Sequence, residues 1–135
     1  MPPRSRSQTR PATVDDARSY LMKAREYLQA AEDAHARKHF VAAGGTAVLA
    51  GIAAGDAIAA MRSGSVWMGE HSQAPAYLER VAGPDGTAAA RQLRRLIPLK
   101  HRTEYDPTHL TEAESSNAVE AARRIVSVTE RVVQG

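Results

Sequence analysis

Apolar positions recur at helical spacing along most of the chain. Ala17, Tyr20, Leu21, Ala24, Leu28, Ala31 and Ala34 fall three or four residues apart and predict a first helix over Val14–Ala36. Arg18, Lys23, Arg25, Glu26 and Glu32 lie mostly off that stripe and form its solvated face. Thr13 stands as N-cap, with Asp15 and Asp16 in the first turn, where the helix dipole favours negative charge. After a break near Arg37 and Lys38 comes the least polar stretch, 41–61, built mainly of Ala and Gly with one charge, Asp56. It predicts a central helix over 40–62. Gly51 and Gly55 are four apart and share a face, which suits close helix contact inside a bundle or across a dimer.

Ser63, Gly64 and Ser65 end that helix, and a loop over 66–71 carries the only tryptophan, Trp67. Ser72 is placed to cap a short third helix, with Pro75 in its first turn and Tyr77, Leu78 and Val81 on its inner side. Gly83-Pro84-Asp85-Gly86 reads as a turn. Leu93, Leu96 and Ile97 then mark a fourth helix over 87–104. Pro98 cannot donate to the carbonyl of Arg94, so a kink is expected there. Asp106-Pro107 breaks the chain. Thr111 and Glu114 form a capping box that opens a fifth helix over 112–133, with Ala118, Ala122, Ile125, Val126, Thr129, Val132 and Val133 as its apolar face. No useful β-alternation is present. The pattern predicts an all-α, up-and-down bundle of four long helices plus one short helix.

Composition agrees. Hydrophobic residues make up 43% of the chain but aromatics only 4%, because much of the apolar content is Ala, the best helix former. There is no cysteine, which excludes a disulfide framework and a Cys-ligated zinc site and points to the cytoplasm. The formal net charge is +3, and Arg4, Arg6 and Arg10 lie ahead of the first acid, Asp15. Residues 1–12, with Pro2, Pro3 and Pro11, are expected to be a disordered basic arm able to hold nucleic acid electrostatically. Residues 13–135 are expected to form one domain. The N-terminus lacks the apolar run of a secretory signal, and Asp56 interrupts the one membrane-like stretch, so no membrane partner is expected.

Two charges lie on the apolar stripes of their helices, Asp56 and Lys100. Opposite charges at such sites are best explained together, so a buried pair between the second and fourth helices is expected, with Glu104 and Tyr105 as further members of the network. The run Arg91–Tyr105 is rich in cations. Arg94 or Arg95 with His101 has the chemistry of metal-free RNA cleavage: imidazole moves the 2′-OH proton and guanidinium steadies the phosphorane. The alternative is an amphipathic helix whose Arg91 and Arg102 contact nucleic acid without cleaving it. His35 and His39 are four apart but sit at a helix break with only Asp33 in reach, so no metal is expected. No phosphate-binding Gly loop is present, and no cofactor is expected. Trp67 and His71 are placed to line a pocket or an interface, or to anchor the loop locally.

The order of features resembles the HEPN-like helical domains of prokaryotes. The residues that carry the resemblance are AREYLQAAEDA (24–34), GDAIAA (55–60), GEHSQAPAYL (69–78) and LRRLIPLKHRTEYDP (93–107), followed by a long last helix. Many such domains place an Arg, four to six residues and a His at a dimer interface as a metal-independent RNase site, a spacing met by Arg95 or Arg94 with His101. The family usually has a polar residue directly after the Arg, whereas Leu96 stands here. Lys100, Glu104 and Tyr105 are more similar to a branch in which Lys and a Glu/His-Tyr pair replace that motif. The resemblance implies a homodimer and two readings. One is a non-catalytic nucleic-acid-associated or protein-interaction module. The other is a toxin-type endoribonuclease, with RNA as substrate and an antitoxin as partner protein.

Overall fold

The Ala- and Gly-rich stretch folds as the helix against which the others pack. In the computed structural model, which describes residues 8–135, α1 (Val14–Ala36), α2 (Phe40–Ser63), α3 (Ala74–Glu104) and α4 (Glu112–Gln134) follow one another through short connections. α2 packs on α1, α3 and α4, and α4 also touches α1 and α3, so α2 and α4 form the inner pair. Ala43, Ala47, Ala50, Ala54 and Ala57 are fully buried. The larger buried side chains are Val48 and Ile58 of α2 itself, with Leu21 of α1, Leu78, Leu93 and Leu96 of α3, and Ile125 of α4. Each fully buried side chain of that size contributes about 1.5–3 kcal/mol.

The glycines of α2 serve contacts inside the chain. A Cβ on Gly51 would lie 2.5 Å from Leu96 Cδ1, and one on Gly55 would lie 3.2 Å from Leu78 Cδ1. α2 is long and apolar enough to cross a membrane, but 61% of its most apolar window is buried in the bundle, as befits a core helix. Thr129 Oγ1, fully buried on α4, donates to the carbonyls of Ile125 and Ala54 and ties the inner pair together.

Both expected caps form. Thr13 and Asp16 make a reciprocal capping box on α1, and Thr111 and Glu114 make one on α4. Two details of the chain path differ from expectation. The turn at 83–86 contracts to a single residue: Gly83 (φ 59°, ψ −141°) alone leaves helical angles, and Pro84 restarts the helix. The short third and long fourth helices therefore run together as α3. The backbone also keeps helical angles at Pro98, so the break lies at Gly83.

Residues 9–12 are ordered, contrary to the expectation of a disordered arm. Thr9–Pro11 forms β1 and pairs antiparallel with β2 (Ser65–Trp67), with Thr9 opposite Trp67. Two three-residue strands are marginal by themselves. Here Val66 is buried in the core and anchors the ladder. Alternation over three residues is too short to register in the sequence. Arg10 Nη2 donates to Tyr20 Oη at 2.8 Å. Arg4 and Arg6 lie outside the described residues.

Gly86 tests the tight junction in α3. A Cβ there would fall 2.0 Å from the carbonyl oxygen of Leu78, a backbone atom with little freedom to yield. Gly86→Ala should lower the unfolding free energy in urea by about 2 kcal/mol. A variant as stable as wild type would mean the two halves of α3 are not held this closely.

Candidate functional site

The outward strip of α2 runs through Ile52, Asp56 and Ala59. The chain leaving α2 folds back over this strip, because Val66 is drawn into the core and the 3₁₀ turn His71–Gln73 leads into α3. The result is a small cavity of about 30 Å³. Its polar lining is Asp56 and His71, its aromatic lining Trp67 and Tyr77, and its aliphatic wall includes Leu93 and Ile97.

The polar tips of the aromatics are engaged elsewhere. Trp67 Nε1 donates to the Glu70 carbonyl at 2.8 Å, and Tyr77 Oη donates to the Ser65 carbonyl at 3.1 Å. Their rings lie 5.4 Å apart, centroid to centroid. Asp56 has no hydrogen-bond or ion-pair partner among the described residues. Burial pushes its carboxyl up to about 7, and Lys23 and Arg10 pull more weakly the other way. Burial also lowers His71 from its ordinary value, with Lys100 acting in the same sense and Glu104 opposing. At neutral pH the cavity wall therefore carries a neutral imidazole and a carboxyl near its midpoint, each shifted chiefly by burial, a kind of perturbation that clusters at functional sites.

The expected Asp56–Lys100 pair does not form. Lys100 Nζ meets Glu104 Oε2 at 3.0 Å, one turn along α3, and its half-exposed ammonium stays near water. A long flexible lysine on a helix reaches its i+4 carboxylate more cheaply than it gives up hydration to enter a core. Tyr105 is 70% exposed and stacks on His101 at 5.4 Å, so it is not part of a buried network.

The basic run is dispersed as well. Arg94 makes a two-pronged pair with Glu79 across the Gly83 break, at 2.8 and 2.9 Å. Arg102 grips Glu114, the capping residue of α4, and holds its carboxyl down to about 2 together with the Thr111 backbone N–H. Arg95 lines a groove with Leu99, Asn117 and Arg124. His101 lines a shallow depression with His71, Lys100 and Tyr105. Within one chain Arg95 and His101 thus face different depressions. Arg91 is exposed. His35 Nδ1 is within 2.7 Å of the buried Ser115 Oγ, which makes it a link between α1 and α4.

The structure brings Asp56 to Trp67, His71 and Tyr77, a grouping that sequence reasoning missed although it marked Trp67 and His71 as pocket candidates. The available signal was the short loop after α2. It leaves its only tryptophan nowhere to go but back over the last turns of that helix. No protein-family model matches the sequence, and no curated protein matches it.

Two measurements check the assignment. Because the folded state holds the Asp56 proton more tightly than the unfolded chain does, its contribution is fully present below about pH 4 and is lost as pH rises to about 7. Asp56→Asn should match wild type below about pH 4 in urea unfolding and exceed it at pH 8 by on the order of 4 kcal/mol. A difference independent of pH would contradict a buried carboxyl. Lys100→Met should cost no more than about 0.5 kcal/mol, the value of an exposed i,i+4 pair. A loss of several kcal/mol would restore the buried-pair reading.

Proposed function

We propose that the chain is a HEPN-like helical module that works by binding rather than catalysis, as a cytoplasmic protein-interaction domain that pairs with a second copy of itself. The observation that carries this reading is the uncovered half of α2. The strip that holds Asp56 is roofed by the loop after α2, but its N-terminal continuation is open. There Val41, Ala42, Gly45, Thr46 and Leu49 line a mostly apolar groove, with Lys100, Thr103 and Glu104 of α3 on its far side. Leu49 is 42% exposed. Small residues flanking a protruding leucine suit helix-to-helix contact, and an open apolar groove is what an interface covers.

The distribution of cations supports binding over cleavage. Arg94 and Arg102 are engaged by Glu79 and Glu114. Beyond the first twelve residues the basic and acidic residues balance. Nucleic-acid contact, if the module makes it, falls to the N-terminal arginines and to Arg91. The endoribonuclease reading requires a second copy to bring an Arg95 to a His101.

Leu49→Arg should convert the dimer to monomer in sedimentation equilibrium at micromolar concentration while leaving the helical circular dichroism unchanged. A wild-type chain that is monomeric at 100 µM would remove the self-pairing proposal. Wild type should leave single-stranded RNA intact in the presence of EDTA. Cleavage that disappears in His101→Ala would overturn the non-catalytic reading in favour of the endoribonuclease.

A further inference from the structure

The Asp56 cavity is independent of the open α2 groove, and its chemistry is one-sided. Both of its hydrogen-bond donors of fixed polarity are used up: the indole N–H on the Glu70 carbonyl and the phenol O–H on the Ser65 carbonyl. The rest of the polar and aromatic lining is the Asp56 carboxyl, an anion above about pH 7, the neutral His71 ring with one N–H and one accepting nitrogen, and the electron-rich faces of Trp67 and Tyr77. Neither Asp56 nor His71 has a hydrogen-bond partner among the described residues. Above about pH 7 an anion would meet the Asp56 carboxylate, with only the His71 N–H to set against that repulsion. A neutral apolar group would leave the carboxylate unsatisfied, at the cost of an uncompensated polar group.

We propose that this cavity is a binding site for the head group of a small primary alkylamine in its ammonium form. An –NH3⁺ group carries three donors and no acceptor, the complement of a carboxylate, an imidazole nitrogen and two aromatic rings. Size selects within the class. The cavity of about 30 Å³ admits one or two water-sized groups, which fits an ammonium head and excludes a quaternary ammonium with its shell of methyls. His71 and Ile97 line both this cavity and the outer depression that holds Glu70 and Tyr105. The alkyl tail leaves on that side, past the edge of His71. The groups that oppose a cation are Lys23 of α1 and Arg10 of β1 toward Asp56, and Lys100 of α3 toward His71. Lys100 is already compensated by Glu104, and Arg10 is turned to Tyr20.

Trp67 is the only tryptophan in the chain, so its fluorescence reports on the site without labelling. The experiment titrates the full chain with n-butylammonium chloride at pH 8 and constant ionic strength. Tetramethylammonium chloride and n-butanol serve as controls. The expected result is a saturable change in Trp67 emission with butylammonium and none with either control. Affinity should fall at least tenfold at pH 5.5, where Asp56 holds its proton, and at least tenfold in Asp56→Asn at pH 8. That variant keeps the size of the side chain and removes a buried charge, so it should fold. Chemical-shift changes of the His71 ring on adding butylammonium provide the second readout. Equal affinity in Asp56→Asn, or an equal response to tetramethylammonium, would overturn the site, as would no saturable response to butylammonium. None of these outcomes depends on whether the chain pairs through α2.

Discussion

The structure depends on how closely α2 approaches α3. At Gly51 and Gly55 the α2 backbone comes within van der Waals reach of Leu96 and Leu78, leaving no room for even a methyl group at Gly51 unless Leu96 moves. This exchanges side-chain volume on the central helix for leucine and isoleucine volume on its neighbours. Much of the core is then filled from outside inward, and apart from Val48 and Ile58 the buried face of the inner helix is a smooth rod. A rod of alanines offers little to specify register. Polar contacts between helices do so instead: His35 with Ser115 across α1 and α4, and the Thr129 hydroxyl on the Ala54 carbonyl across α4 and α2.

A smooth central helix with four sides needs four covers, and three helices supply only three. The remaining strip of α2 is covered over its C-terminal half by the chain that has just left it, held in place by Val66 and by the short ladder with β1. That cover is thin. It encloses a cavity instead of a packed core, and it traps the one carboxyl group of α2 with no hydrogen-bond or ion-pair partner among the described residues. Asp56 is therefore costly by construction, and burial pushes its carboxyl up to about 7. The N-terminal half of the same strip has no cover from this chain. The cavity and the open groove are two consequences of one shortage of packing partners.

The C-terminal half of α3 shows how local geometry outcompetes long-range pairing. Lys100, Arg94 and Arg102 all had distant roles suggested by their positions on a helix. Each instead takes a nearby carboxylate: Glu104 one turn on, Glu79 across the Gly83 break, and Glu114 at the start of α4. Long cationic side chains can swing several ångströms without leaving water, so an accessible acid at short range satisfies them before any buried one. Lys100 accordingly stays outside and Asp56 remains alone.

By itself the sequence determined the all-α class, α1 to its ends, the N-terminal boundaries of α2 and α4, the Thr13 cap, the Thr111–Glu114 capping box and the identity of the central helix. These rest on periodicity and on contacts within one turn, which a linear sequence encodes directly. Asp56 also stood out as a charge misplaced in an apolar run. Only the tertiary structure decided that its neighbours are Trp67, His71 and Tyr77 and not Lys100. It also decided that Thr9–Pro11 joins a strand pair, and that the turn at 83–86 closes to one glycine. Each of these depends on where a loop lands after the helices have packed. Spacing along a helix gives the direction a side chain points, but not what the rest of the chain brings to meet it.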